Sequence, residues 1–127
     1  MNRLLLDTHT FIWFVSNDAN LPPSIIDQIE FTEDVFLSIA SIWEIGIKVN
    51  IGKLTLQGTF EDIESQLIYN NIKILPLTFS DTVQLRYLPL YHRDPFDRIL
   101  IAQAINNSLI LISRDSAFDA YSIQRLW

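Results

Sequence analysis

The feature that most constrains this chain is a set of short apolar runs, at residues 3–6, 35–39, 72–75 and 109–112, in which apolar and polar residues do not alternate. Unbroken runs of that length belong to strands covered on both faces. Between them, apolar residues recur at helical spacing: Phe11, Ile12 and Val15; then Ile25, Ile26 and Ile29 after Pro22 and Pro23; then Ile42, Ile45 and Val49; then Phe60, Ile63 and Leu67; and finally Ile99, Ala102 and Ile105. Parallel strands require crossover connections, and helices supply them. The pattern therefore predicts an α/β protein, a three-layer α/β/α sandwich around a central, mainly parallel sheet of four or five strands, the fifth being a short run at 121–125. No internal repeat or linker divides residues 1–127, which read as a single domain, and residues 50–58, with two glycines, read as a loop within it.

Composition narrows the chemistry. The chain has 127 residues, 49% of them hydrophobic, enough to bury a core without crosslinks. It has no cysteine, so disulfides and thiolate metal sites are excluded, any metal must be held by oxygen or imidazole, and a reducing cytoplasm suits it. One basic residue, Arg3, precedes an apolar stretch that Asp7 interrupts, which supports neither a secretory signal nor a membrane span. The formal net charge of −6 is the wrong sign for binding nucleic acid by bulk attraction. A nucleic-acid function would need a local basic rim or cations recruited by the acids.

In an open parallel sheet, ligands bind beyond the carboxyl ends of the strands. Asp7 directly follows the first run, Glu44 lies early in the helix after the second, Asp97 sits near the start of the helix before the fourth, and Asp115 lies just past the fourth. Each has an ordinary structural explanation. Asp7 and Asp115 suit helix caps, Ser41 and Glu44 have capping-box spacing, Glu44 and Lys48 form a favourable helical pair, and Asp94 before Pro95 is an N-cap with Asp97 beside the helix dipole. Together those explanations fall short, because carboxylates crowded at one sheet edge repel by about 1 to 4 kcal/mol per close pair. Protonation or a divalent cation must offset that, and an all-oxygen set suits Mg²⁺ or Mn²⁺.

Other chemistries fit less well. A phosphate-binding loop needs four residues between its glycines and a hydroxyl residue after its lysine, whereas five residues separate Gly46 from Gly52 and Leu54 follows Lys53. A phosphoaspartate enzyme using Asp7 would carry a second acid where His9 stands. With only His9 and His92 in the chain, a histidine-rich metal site is not expected: His9 reads as a pocket-wall residue and His92 as a loop residue. An acidic module that binds a basic peptide without catalysis remains an alternative. Arg93, Arg98 and Arg114 flank the acids, and Lys48 and Lys53 follow Glu44; they are candidates for phosphate contacts or for pairing with nearby acids. Trp43 is expected in the core, and Trp13 in the core or in a binding groove, while nothing in the pattern assigns a role to Trp127.

The segments "LLLDTHTFIW", "SIASIWEIGIKVNIGKL", "HRDPFDRILIAQA" and "ISRDSAFDAY", in that order, resemble a PIN domain, in particular the VapC-type toxin ribonucleases encoded with an antitoxin. The resemblance runs from Arg3 to about Tyr121. It implies that Asp7, Glu44 and Asp97 occupy the three main acidic positions and Asp115 the fourth, binding Mg²⁺ or Mn²⁺ and directing water at an RNA backbone. Asp7 and Asp97 would be the primary ligands, Glu44 a ligand or water-positioning base, and Asp115 an auxiliary. Thr8 and Ser113 match small hydroxyl residues beside the acids. It further implies a small antitoxin partner, a homodimer, and cleavage leaving a 3′-hydroxyl and a 5′-phosphate.

Overall fold

The structure, a computed structural model, describes residues 2–127. Its strands are β1 (Arg3–Leu6), β2 (Asp34–Ser38), β3 (Ile72–Leu75), β4 (Ile110–Ile112) and β5 (Gln124–Leu126). Six helices connect them: α1 (Thr8–Val15), α2 (Pro23–Phe31), α3 (Ile39–Asn50), α4 (Asp62–Tyr69), α5 (Phe79–Tyr87) and α6 (Pro95–Asn107), with a short 3-10 helix at Ser116–Ala120. The strands form one sheet in the order β3-β2-β1-β4-β5, and every pairing is parallel.

Strand alternation explains the three layers. Along β1, Leu4 and Leu6 join a cluster with Phe11, Ile25, Ile29, Ile45, Ile63 and Leu67, while Leu5 joins another with Leu100, Ile101, Leu111 and Phe118. Val35 and Leu37 of β2 face the first cluster and Phe36 the second, and in β4 Ile112 and Leu111 divide the same way. Helices α1 to α4 thus cover one face, and α6 with the 3-10 helix covers the other. Each fully buried leucine or isoleucine contributes about 1.5 to 3 kcal/mol, which is why both residues of each pair are apolar.

Two expectations need correction, and one helix lies where none was expected. The fifth strand begins at Gln124, not at residue 121, because Tyr121 caps the 3-10 helix and is buried with its hydroxyl donating to Pro89 O at 2.9 Å. Helix α5 turns its apolar residues Phe79, Val83 and Tyr87 to solvent and buries an acid instead. Asp81 Oδ2 accepts from Thr78 N at 2.9 Å, Thr78 Oγ1 accepts from Asp81 N at 3.3 Å, and Asp81 Oδ1 accepts from Asn106 Nδ2 at 2.9 Å. Trp43 is not core: it is 61% exposed and meets Phe96 edge-on, because α3 buries the stripe Ala40, Ser41, Glu44 and Ile45 instead.

Candidate active site

Because all five strands run the same way, their carboxyl ends lie at one edge. β1 sits between β2 and β4, where the chain's crossovers diverge to opposite sides, and that switch point opens a crevice. The ends of β1 and β4 are tied there by Asp7 N donating to Ile112 O at 3.1 Å and by Thr10 Oγ1 donating to the same carbonyl at 3.0 Å. A cavity of about 150 Å³ opens at this point, lined by Asp7, Thr8, His9, Glu44, Lys48, Asp94, Asp97, Asp115 and Phe118.

Each acid arrives by a local rule. Asp7 caps α1, its Oδ1 accepting from Thr10 N at 2.8 Å, and the extended backbone required of a cap turns the carboxylate toward the crevice. Asp115 caps the 3-10 helix through Ala117 N at 3.0 Å, and its own N–H donates to the Oγ of the fully buried Ser113 at 3.0 Å. Asp94 caps α6 through Phe96 N at 2.8 Å and Asp97 N at 3.3 Å, with Pro95 at the first helical position, and this sets Asp97 in the first turn.

Glu44 is held differently from the capping box its spacing suggests. The N-cap of α3 is Ser38, which accepts from Ala40 N at 3.1 Å, so Ser41 lies inside the helix with its hydroxyl unpartnered. Glu44 instead takes Thr8 Oγ1 on Oε1 at 2.6 Å and Lys48 Nζ on Oε2 at 2.9 Å, and is 7% exposed. Both of its oxygens are therefore fixed by residues that also line the cavity.

Five carboxylates face one ammonium in this small space: Asp7, Glu44, Asp94, Asp97 and Asp115 against Lys48. Asp97 registers the imbalance. Burial, reinforced by the negative charges of Asp94, Glu44, Asp7 and Asp115, pushes its carboxyl up to about 7. Among the described residues, His92, Asp97 and Asp115 form a potential metal-binding set, each offering one donor atom within 4.8 Å of the others. Asp7 and Glu44 line the same cavity outside that set, so the convergence centres on Asp97 and Asp115 more than the sequence suggested.

A sequence profile described as PIN domain matches residues 4–124. The chain belongs to the PIN domain family. No curated protein sequence matches it. Among solved structures, this PIN domain is similar to one described as DNA-bound VapBC from Salmonella typhimurium, at 14% identity and a TM-score of 0.71, covering 99% of this chain and 98% of the other. It is similar to VapBC-1 from nontypeable Haemophilus influenzae, at 17% identity and TM-score 0.65 over 97% and 96% of the two chains. FitAcB from Neisseria gonorrhoeae matches at 21% identity and TM-score 0.64 over 98% and 96%. At such identities the likeness is one of fold.

The basic residues of this PIN domain divide. Arg114 is exposed, lies over the Trp13 ring with its guanidinium 4.7 Å from the ring centre, and lines a neighbouring hollow with Asp7, His9 and Asp115. Arg93 and Lys53 are exposed. Arg98, anticipated beside the acids, is employed elsewhere. Its guanidinium donates to the carbonyls of Pro89 at 2.9 Å, Leu85 at 3.2 Å, and His92 and Leu88 at 3.4 Å, satisfying the carboxyl end of α5. Trp127 packs against the first core cluster, 6.1 Å from Trp13 between ring centres. Sequence reasoning passed over two residues of the site, Asp94 as a cavity wall and His92 as a near neighbour of Asp97 and Asp115. Both lie within five residues of Asp97. Among the described residues no helix is long and apolar enough to cross a membrane.

Proposed function

We propose that this PIN domain is a divalent-metal-dependent endoribonuclease, the toxin of a toxin-antitoxin pair, working as one domain over residues 1–127. The observation that carries the reading is the concentration of five carboxylates against one ammonium in a cavity at the strand ends. Supporting the toxin role, the solved relatives described as VapBC or toxin-antitoxin complexes align over nearly the whole chain. A small antitoxin partner, a homodimer and a cytoplasmic setting complete the proposal.

The residues fit Mg²⁺ or Mn²⁺. The donors are hard oxygens, and without a cation Asp97 holds a proton near neutrality. Asp7 and Asp97 would hold the ion, with Glu44 and Asp115 beside them. Such an ion supplies positive charge to phosphoryl oxygens and lowers the pKa of water. The chain's own part is positioning. Glu44, pinned by Thr8 and Lys48, orients the attacking water and receives its proton, while Asp115, whose backbone N–H is held by Ser113, serves as an auxiliary acid. Arg114, Arg93 and Lys48 contact flanking phosphates, and the products are a 3′-hydroxyl and a 5′-phosphate.

Purified protein freed of antitoxin should cleave RNA with Mg²⁺ or Mn²⁺ and stop in excess chelator; equal cleavage in chelator would overturn the metal role. Asp7→Asn should abolish cleavage while the fold survives, since asparagine caps a helix as well as aspartate does. A module that only sequesters a basic peptide would leave RNA intact under every condition, and an acyl phosphate on Asp7 would mark a phosphoaspartate enzyme instead.

A further inference from the structure

His92 lies beside Asp97 and Asp115. Its side chain is only 10% exposed, yet neither ring nitrogen has a hydrogen-bond partner among the described residues. The ring is nonetheless fixed. It stacks on Phe118 with centres 4.8 Å apart and planes 18° from parallel, it leans on Tyr121, and its backbone N–H donates to Tyr121 Oη at 2.7 Å. Nε2 lies 3.9 Å from Asp115 Oδ2, and His92 offers one nitrogen within 4.8 Å of carboxylate oxygens of both Asp97 and Asp115.

A buried imidazole that is held rigidly but bonded to nothing has paid desolvation without recompense. The spacing suggests the missing partner. Ligands about 2.1 Å from a common ion stand roughly 3.0 Å apart when adjacent and roughly 4.2 Å apart when opposite, and 3.9 Å falls between those limits. A direct hydrogen bond between neutral imidazole and carboxylate would instead close to about 2.9 Å.

We propose that His92 is a nitrogen ligand for a divalent cation on the Asp97 and Asp115 side of the cavity, and that it biases this site toward Mn²⁺ over Mg²⁺. The reasoning rests on the metal-dependent reading above and adds the selectivity that reading leaves open. Mg²⁺ strongly prefers oxygen donors, whereas imidazole suits the later, softer divalent ions and Mn²⁺ accepts it more readily than Mg²⁺ does. Stacking on Phe118 fixes the ring before the ion arrives, so little ordering remains when it binds.

The chain has two histidines, and His9, which lines the cavity, is exposed; replacing it leaves a single imidazole, that of His92 beside Asp97 and Asp115. Pulsed electron paramagnetic resonance of Mn²⁺ bound to His9→Gln, without RNA or antitoxin, should therefore still show nitrogen modulation from a directly bonded imidazole. In His92→Gln that modulation should vanish, Mn²⁺ affinity should fall about tenfold or more, and Mg²⁺ affinity should change by less than about twofold. Mn²⁺ bound to His9→Gln with no nitrogen modulation would overturn the assignment while leaving the metal-dependent reading intact. Failure of the wild-type protein to bind Mn²⁺ at all would overturn both. Because the decisive measurement keeps His92 in place, it stands even if His92→Gln does not fold.

Discussion

Thr8 and Glu44 are 36 residues apart in the chain, yet the hydroxyl of one lies 2.6 Å from the carboxylate of the other, and no local rule of helix or strand requires it. With Lys48 on the second oxygen, Glu44 is held at both carboxylate oxygens. Thr8→Val keeps the shape and removes the donor, so RNA cleavage should fall about 10- to 100-fold, with stability lower by about 1 to 3 kcal/mol. Thr8→Ser should restore most of both; a Val variant cleaving at the parent rate would remove Thr8 from the site. Asp97 yields a prediction of opposite character. Its folded-state carboxyl titrates near 7, above the ordinary 3.8, so the native state holds a proton that the unfolded chain has released. That stabilisation is complete below about pH 4 and disappears as pH rises through 7. In chelator, the wild-type melting temperature should therefore decline between pH 5 and 8 more steeply than that of Asp97→Asn. The carboxylates with lowered values, Asp34 beside Lys73 and Asp119 beside Arg125, act only at more acidic pH and leave this window clear. Parallel profiles for the two proteins would contradict the charge crowding.

At the scale of elements, what the sequence disclosed follows from how each element is specified. β1, β2 and β4 were legible because both faces are buried and every residue of the run is apolar or nearly so. The acids at their ends were legible as a group because a parallel sheet sends all its carboxyl ends to one edge. α5 was not: its apolar residues Phe79, Val83 and Tyr87 recur at helical spacing but face solvent, and the position it buries is an acid, Asp81. Nor was the role of Arg98, which lies in α6 and reaches back to four carbonyls on α5 and the loop after it. Contacts of that kind depend on tertiary placement and leave no trace in local spacing. They also carry a test: Arg98→Met keeps the aliphatic stem and strands the carbonyls at the end of α5. Urea denaturation should show a loss of about 1 to 3 kcal/mol. If Arg98 instead served phosphates, the same change would spare stability and weaken RNA binding.

Across the whole molecule, the charge of −6 limits how the proposed RNA substrate could be held. Binding a polyanion releases condensed cations, and for single strands the salt dependence is about 0.7 per neutralised phosphate on a double-logarithmic plot. Arg114 and Lys48 line the hollows at the strand ends and Arg93 is exposed on the loop before α6, while Lys48 is already paired with Glu44. With at most three such groups, the slope should not exceed about 2, shallow for a nucleic-acid enzyme. The affinity that remains must come from cations bound among the acids, so binding should depend more steeply on divalent than on monovalent ions. Fluorescence anisotropy of the wild-type protein with a labelled, non-hydrolysable RNA analogue, titrated with monovalent salt at fixed Mg²⁺ and with Mg²⁺ at fixed salt, measures both dependences without cleavage. Arg114→Gln should reduce the slope by about 0.7 and weaken all RNA sequences alike, as loss of one phosphate contact does. A wild-type slope of about 5 or more would place a basic binding surface away from the strand ends, and an unchanged slope in Arg114→Gln would confine that arginine to its stack on Trp13.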